Sequence, residues 1–159
     1  MLDNIMLQAL NEQLNVERFN QASYDMLAAS LDVAYWPGSS AWMKGQAQEE
    51  ATHADKVAAY IVDRGCIPQF TDIVPIPMID TANLTNAFEA ALQVEQANTE
   101  RIKMLYHLAE EQADPQTCQF LHWFLAEQTE AEGVLGNYLT MLDRLDANGK
   151  MVFDSSVIK

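Results

Sequence analysis

Apolar positions recur along this chain with the period of long helices, and a few polar residues stand where apolar ones belong. From Leu10, the positions Leu14, Glu17, Gln21, Tyr24, Ala28 and Leu31 follow in alternating steps of four and three. That spacing puts them on one stripe of a helix about thirty residues long, which stops at Tyr35-Trp36-Pro37-Gly38. Ser39 or Ser40 is expected to cap a second helix, which runs to Gly65 and is closed off by Pro68. A third begins near Asn83, carries Phe88, Leu92, Glu95, Thr99, Ile102 and Tyr106 in register, and ends near Glu111. Asp114-Pro115 offers an N-cap followed by proline in the first helical position of a fourth. The stripe of that helix is Leu121, Phe124, Gln128, Ala131, Leu135, Tyr138 and Leu142. The expected helices cover about 3–34, 39–65, 83–112 and 115–146, with a short fifth over about 148–157.

The only long irregular stretch lies between Gly65 and Asn83 and holds Pro68, Pro75 and Pro77. Fully extended at about 3.3 Å per residue, it reaches about 55 Å, more than the about 40 Å length of the second helix. It can therefore return along the whole bundle. The expectation is an all-α chain forming a single domain over residues 1–159: a four-helix bundle with one long crossover and a short C-terminal helix.

Glu17 stands between Leu14 and Gln21 on the inward stripe, and Glu95 between Leu92 and Thr99. A buried carboxylate must be paired, protonated or bound to a cation. Glu50 and His53, three positions apart on the second helix, share a face and can act as two metal ligands, and Gln128 lies on the fourth stripe. The midpoint of Glu17 and Glu50 falls between residues 33 and 34, at the first turn, and that of Glu95 and Gln128 between 111 and 112, at the second. Both pairs thus sit about 25 Å from their turns at about 1.5 Å per residue. All four helices present a polar group at one height. Oxygen ligands with one imidazole and no thiolate suit iron or manganese better than a structural zinc. Glu50 is the expected bridge between two metals, with Glu17 and His53 on one and Glu95 on the other. Gln128 would touch the second weakly or through water.

Composition narrows the partners. A formal charge of −14, from 23 acidic and 9 basic residues, would repel nucleic acid and anionic membranes and favours cations. Cys66 and Cys118 have neither metal-ligand spacing nor the density of a disulfide scaffold. They are expected to be free thiols. No basic leader with an apolar core and no long apolar run is present, so a cytoplasmic location is expected.

Three segments together resemble one family: Leu10-Asn11-Glu12-Gln13-Leu14-Asn15-Val16-Glu17, then Gln46-Ala47-Gln48-Glu49-Glu50-Ala51-Thr52-His53, then Phe120-Leu121-His122-Trp123-Phe124-Leu125-Ala126-Glu127-Gln128. They are similar to bacterial non-haem ferritin. The resemblance implies a homo-oligomeric shell of 24 chains, a ferroxidase that oxidises ferrous iron with dioxygen at a di-iron centre, and storage of a ferric mineral inside. It places Glu17, Glu50 and His53 on the first iron, Glu50 and Glu95 on the second, and Gln128 beside that second iron. Tyr24 matches a tyrosine bordering the centre that supplies an electron or a hydrogen bond, and Trp123 resembles a nearby tryptophan. Glu49, Glu127 and Glu130 match three of four carboxylates of a third iron site, whose fourth position is Ala131. Cys118 and Leu121 stand where animal ferritins line an acidic threefold channel, which implies another entry route for iron. Haem is not expected, because Ala51 replaces the ligating methionine of bacterioferritins. The alternative is a di-iron peroxidase or oxygenase acting on a small substrate. Those enzymes usually carry two Glu-x-x-His motifs, and one is found here.

Overall fold

The computed structural model describes residues 2–73 and 79–157, and among these there is no strand. Five helices follow in order: α1 (Asn4–Val33), α2 (Pro37–Asp63), α3 (Leu84–Glu111), α4 (Pro115–Leu142) and α5 (Ala147–Ser156). No helix among the described residues is long and apolar enough to cross a membrane.

Local chemistry sets most of the boundaries. Asp3 opens α1 by accepting from the backbone N–H groups of Ile5 at 2.7 Å and Met6 at 3.2 Å. Asn83 does the same for α3, and Asp114 for α4 ahead of Pro115, as their sequences predict. Two boundaries differ from expectation. The second helix starts at Pro37, and neither Ser39 nor Ser40 caps it: both side chains are fully buried inside the first turn. The cap comes from α5, whose Asp154 carboxylate accepts from the N–H of Gly38 at 3.1 Å and of Ser39 at 2.7 Å. A Cβ on Gly38 would lie 1.8 Å from the Asp154 carbonyl oxygen, so only glycine permits this approach. The fourth helix stops at Leu142, short of residue 146, because Asp146 caps the next helix through the Gly149 N–H at 2.8 Å.

Helices α1 and α2 pack side by side, as do α3 and α4, and α1 lies against α3. The described part of the crossover runs along α1. Asn11 Oδ1 accepts from the Gln69 N–H at 2.7 Å, Asn15 Oδ1 from the Thr71 N–H at 2.9 Å, and Arg18 donates to the Thr71 carbonyl at 2.7 Å. Pro75 and Pro77 lie outside the described residues.

The interior consists of two apolar clusters. One joins Tyr24, Leu27, Leu31, Met43, Phe88, Leu135 and Phe153 near the start of α2. The other joins Met6, Leu10, Leu14, Val57, Ile61, Ile102, Leu121 and Phe124 at the opposite end. Between them lie the buried polar residues Glu17, Glu50, His53, Glu95, Asn98 and Gln128. Polar groups at the middle of each helix have split the core at one height.

Candidate metal centre

Each helix of the bundle delivers one or two of these polar groups, and each side chain is at least nine-tenths buried: Glu17 from α1, Glu50 and His53 from α2, Glu95 from α3 and Gln128 from α4. Glu50 and His53 meet because three residues make nearly one helical turn. Single ligating atoms of Glu17, Glu50 and His53 all lie within 4.8 Å of one another. His53 Nδ1 is 3.4 Å from Glu50 Oε1 and 3.9 Å from Glu17 Oε2.

Electrostatics makes this cluster hold protons until a cation replaces them. Burial, then the charge of Glu50, pushes the Glu17 carboxyl well above the usual carboxylate range. Burial, then the charge of Glu95, pushes Glu50 up to about 7. Two atoms of the cluster also lack any hydrogen-bond partner, Glu50 Oε2 and His53 Nδ1. Buried and unpartnered, they leave a lone pair each for a divalent cation when His53 carries its hydrogen on Nε2. The donor set is oxygen-rich with one imidazole, which fits ferrous iron.

Glu95 occupies a different environment. Tyr24 donates its hydroxyl hydrogen to Glu95 Oε1, and Gln128 Nε2 donates to Oε2 at 2.9 Å. The same amide approaches the Glu95 carbonyl at 3.1 Å and Thr99 Oγ1 at 3.3 Å. Burial, then the neighbouring Glu95 charge, raises the Tyr24 phenol, which therefore stays protonated as a donor. Glu95 thus adjoins the cluster with both its oxygens already engaged.

The remaining predicted residues sit around this core. The Trp123 ring meets His53 edge-on at 5.4 Å, and Lys56 lies over its outer face at 4.0 Å. Glu49 and Glu130 are exposed and Glu127 is half-buried. Partial burial, with Glu127 adding to it, raises the Glu49 carboxyl. Leu121 is buried inside the bundle and Cys118 is half-buried.

The pattern reading missed two residues. Gln13 and Asn98 are buried carboxamides that both donate to Glu17. Their spacing was the available signal: Gln13 precedes Glu17 by four residues and Asn98 follows Glu95 by three, so each shares a helical face with a carboxylate.

A family model described as a ferritin-like domain matches residues 7–145. The bacterial non-heme ferritin of Staphylococcus aureus is 34% identical over 99% of this chain and 95% of its own length. That of Staphylococcus haemolyticus shows the same identity and coverage. Among solved structures, an open-pore ferritin from the hyperthermophilic archaeon Archaeoglobus fulgidus superposes with a TM-score of 0.95 at 29% identity, covering 99% of this chain and 98% of that one. A closed form of that protein, engineered by site-directed mutagenesis, gives 0.95 at 30% identity, covering 99% and 97%.

Proposed function

The chain belongs to the ferritin family of iron-storing proteins, and on that premise we propose that it oxidises ferrous iron with dioxygen at a di-iron centre and stores the ferric product in a 24-subunit shell in the cytoplasm. The observation that carries the reading is the buried cluster of Glu17, Glu50 and His53, with its unpartnered Glu50 and His53 atoms and with Glu95 adjoining.

In this reading iron is the substrate. Glu17 and His53 bind the first ferrous ion and Glu50 bridges it to the second, which Glu95 completes. Four carboxylate and imidazole ligands from three helices neutralise the cations and hold them in one dry pocket, so both electrons can be delivered to dioxygen in a single encounter. Glu50 gives up its proton as iron binds, because only the carboxylate is a ligand. Tyr24 and Gln128 hold Glu95 in place for the second ion. The surrounding apolar clusters exclude water that would otherwise compete as ligand. Glu49 and Glu127, with Glu130 nearby on α4, give the product a polar route away from the centre, without the fourth carboxylate that Ala131 replaces.

Stepwise aerobic addition of ferrous iron tests this, with ferric absorbance and particle size followed together. The expected outcome is a fast phase of about two irons per chain, as a bundle di-iron site requires, then uptake of many more into one large particle. Uptake that stops after the first pair would instead favour an enzyme acting on a small substrate.

A further inference from the structure

Gln13 and Asn98 come from α1 and α3, the two helices that supply the carboxylates Glu17 and Glu95, and they are 4% and 1% exposed. Gln13 Nε2 donates to Glu17 Oε1 at 2.6 Å and to Asn98 Oδ1 at 2.7 Å, which uses both of its hydrogens. Asn98 Nδ2 approaches both Glu17 oxygens, at 3.4 Å to Oε1 and 3.2 Å to Oε2. The three side chains therefore close a ring of hydrogen bonds across two helices.

The ring is directional. The shortest bond of the ring, from Gln13, falls on Oε1, whereas Oε2, which accepts only the longer Asn98 contact at 3.2 Å, is the oxygen that faces His53 Nδ1 at 3.9 Å. Its donors are also neutral. A lysine or arginine in either place would orient Glu17 equally well but would neutralise it and repel a cation. Carboxamides fix the carboxylate while leaving its charge for a metal. The Glu95 oxygens accept one close bond each, from Tyr24 and Gln128, so neither is set apart from the other in this way.

We propose that Gln13 and Asn98 are positioning residues that set Glu17 as a one-oxygen ligand, through Oε2, to the first divalent iron bound. Preorganisation of this kind raises affinity, because the ligand's rotamer is fixed before the ion arrives. The proposal rests on the metal-centre reading above.

The test is an anaerobic titration of the assembled, full-length protein with Co(II) as a spectroscopic stand-in for ferrous iron. Gln13→Met and Asn98→Leu keep the side-chain shapes and remove the donors. Each is expected to weaken the first Co(II) about 10–100-fold and to leave the second within about threefold. The cobalt ligand-field bands should shift as Glu17 becomes free to bind through both oxygens. The double variant should lose no more than about either single one, because the ring acts as one unit. Asn98→Ser, which keeps a small polar group and perturbs packing least, should show an intermediate loss should the leucine variant fail to fold. Unchanged first-site affinity and spectrum in folded variants would overturn the proposal, as would equal losses at both metals. Wild-type protein that bound no Co(II) would overturn the metal-centre reading itself, whereas normal wild-type binding with unaffected variants would remove only the role of Gln13 and Asn98.

Discussion

The two halves of the centre differ in what they must do before a metal can enter. On the α2 side, Glu17, Glu50 and His53 already converge within 4.8 Å, with an unpartnered oxygen on Glu50 and an unpartnered nitrogen on His53. On the α3 side, each Glu95 oxygen already carries a donor, Tyr24 on one and Gln128 on the other, so a metal there has to share a carboxylate that is already bonded. Both halves are equally buried and both are built on rigid helices. Burial alone therefore does not make a site ready; the distribution of hydrogen-bond donors does. Where donors leave lone pairs free, the cost of burying charge remains until a proton or a cation relieves it. Where each oxygen carries a close donor, as on Glu95, less of that cost remains.

Removing the residue common to both halves should have the largest effect. Glu50→Ala is expected to slow aerobic ferrous oxidation by at least about a hundredfold and to abolish paired metal binding, measured by stopped-flow absorbance and anaerobic titration. Glu95→Ala should separate the halves: one Co(II) per chain still binds within about threefold of the wild-type affinity, and the second is lost.

Protonation sharpens the same contrast. Burial and the Glu95 charge raise Glu50 to about 7, and a metal must displace that proton. First-metal affinity should accordingly rise with pH through about 7, by about tenfold per unit for each proton displaced, with the raised Glu17 carboxyl adding to the dependence, measured by competition titration. Because the folded-state pKa exceeds the unfolded one, the metal-free fold loses stability as pH rises from about 4.5 through about 7. Glu50→Gln removes that loss. It should stabilise the chelator-treated protein by about 2 kcal/mol at pH 8 and by almost nothing near pH 4, where wild-type Glu50 is protonated in both states. Thermal unfolding at the two pH values checks it.

The helices and the polar layer were legible because carboxylates at core positions of a heptad pattern are conspicuous, and because equal distances from two turns put them at one height. Asn98 was harder to see. A stripe drawn from Glu95 can continue through either Asn98 or Thr99, and the chain buries Asn98 and leaves Thr99 half-buried. Leu105 and Ala109 are buried with it, while Leu92 and Tyr106 sit at the edge. Gln13 escaped because α1 lies between α2, α3 and the crossover, and so buries a wider face than one stripe. The start of α2 was misplaced for a different reason. Its cap, Asp154, lies 115 residues beyond Ser39, and no local pattern carries that information. Leu121, by contrast, lies on the inward stripe that its sequence spacing predicts, in one cluster with Leu10, Leu14 and Phe124.

The central claim is that one half of the centre is assembled before metal arrives and the other is completed afterwards. Anomalous diffraction from crystals of protein loaded anaerobically with one and then two equivalents of Co(II) per chain tests it most directly. The account predicts a single peak among Glu17, Glu50 and His53 at one equivalent, with Tyr24 and Gln128 still on Glu95. At two equivalents a second peak should lie between Glu50 and Glu95. A first peak at Glu95, or two peaks of equal strength from the start, would contradict it.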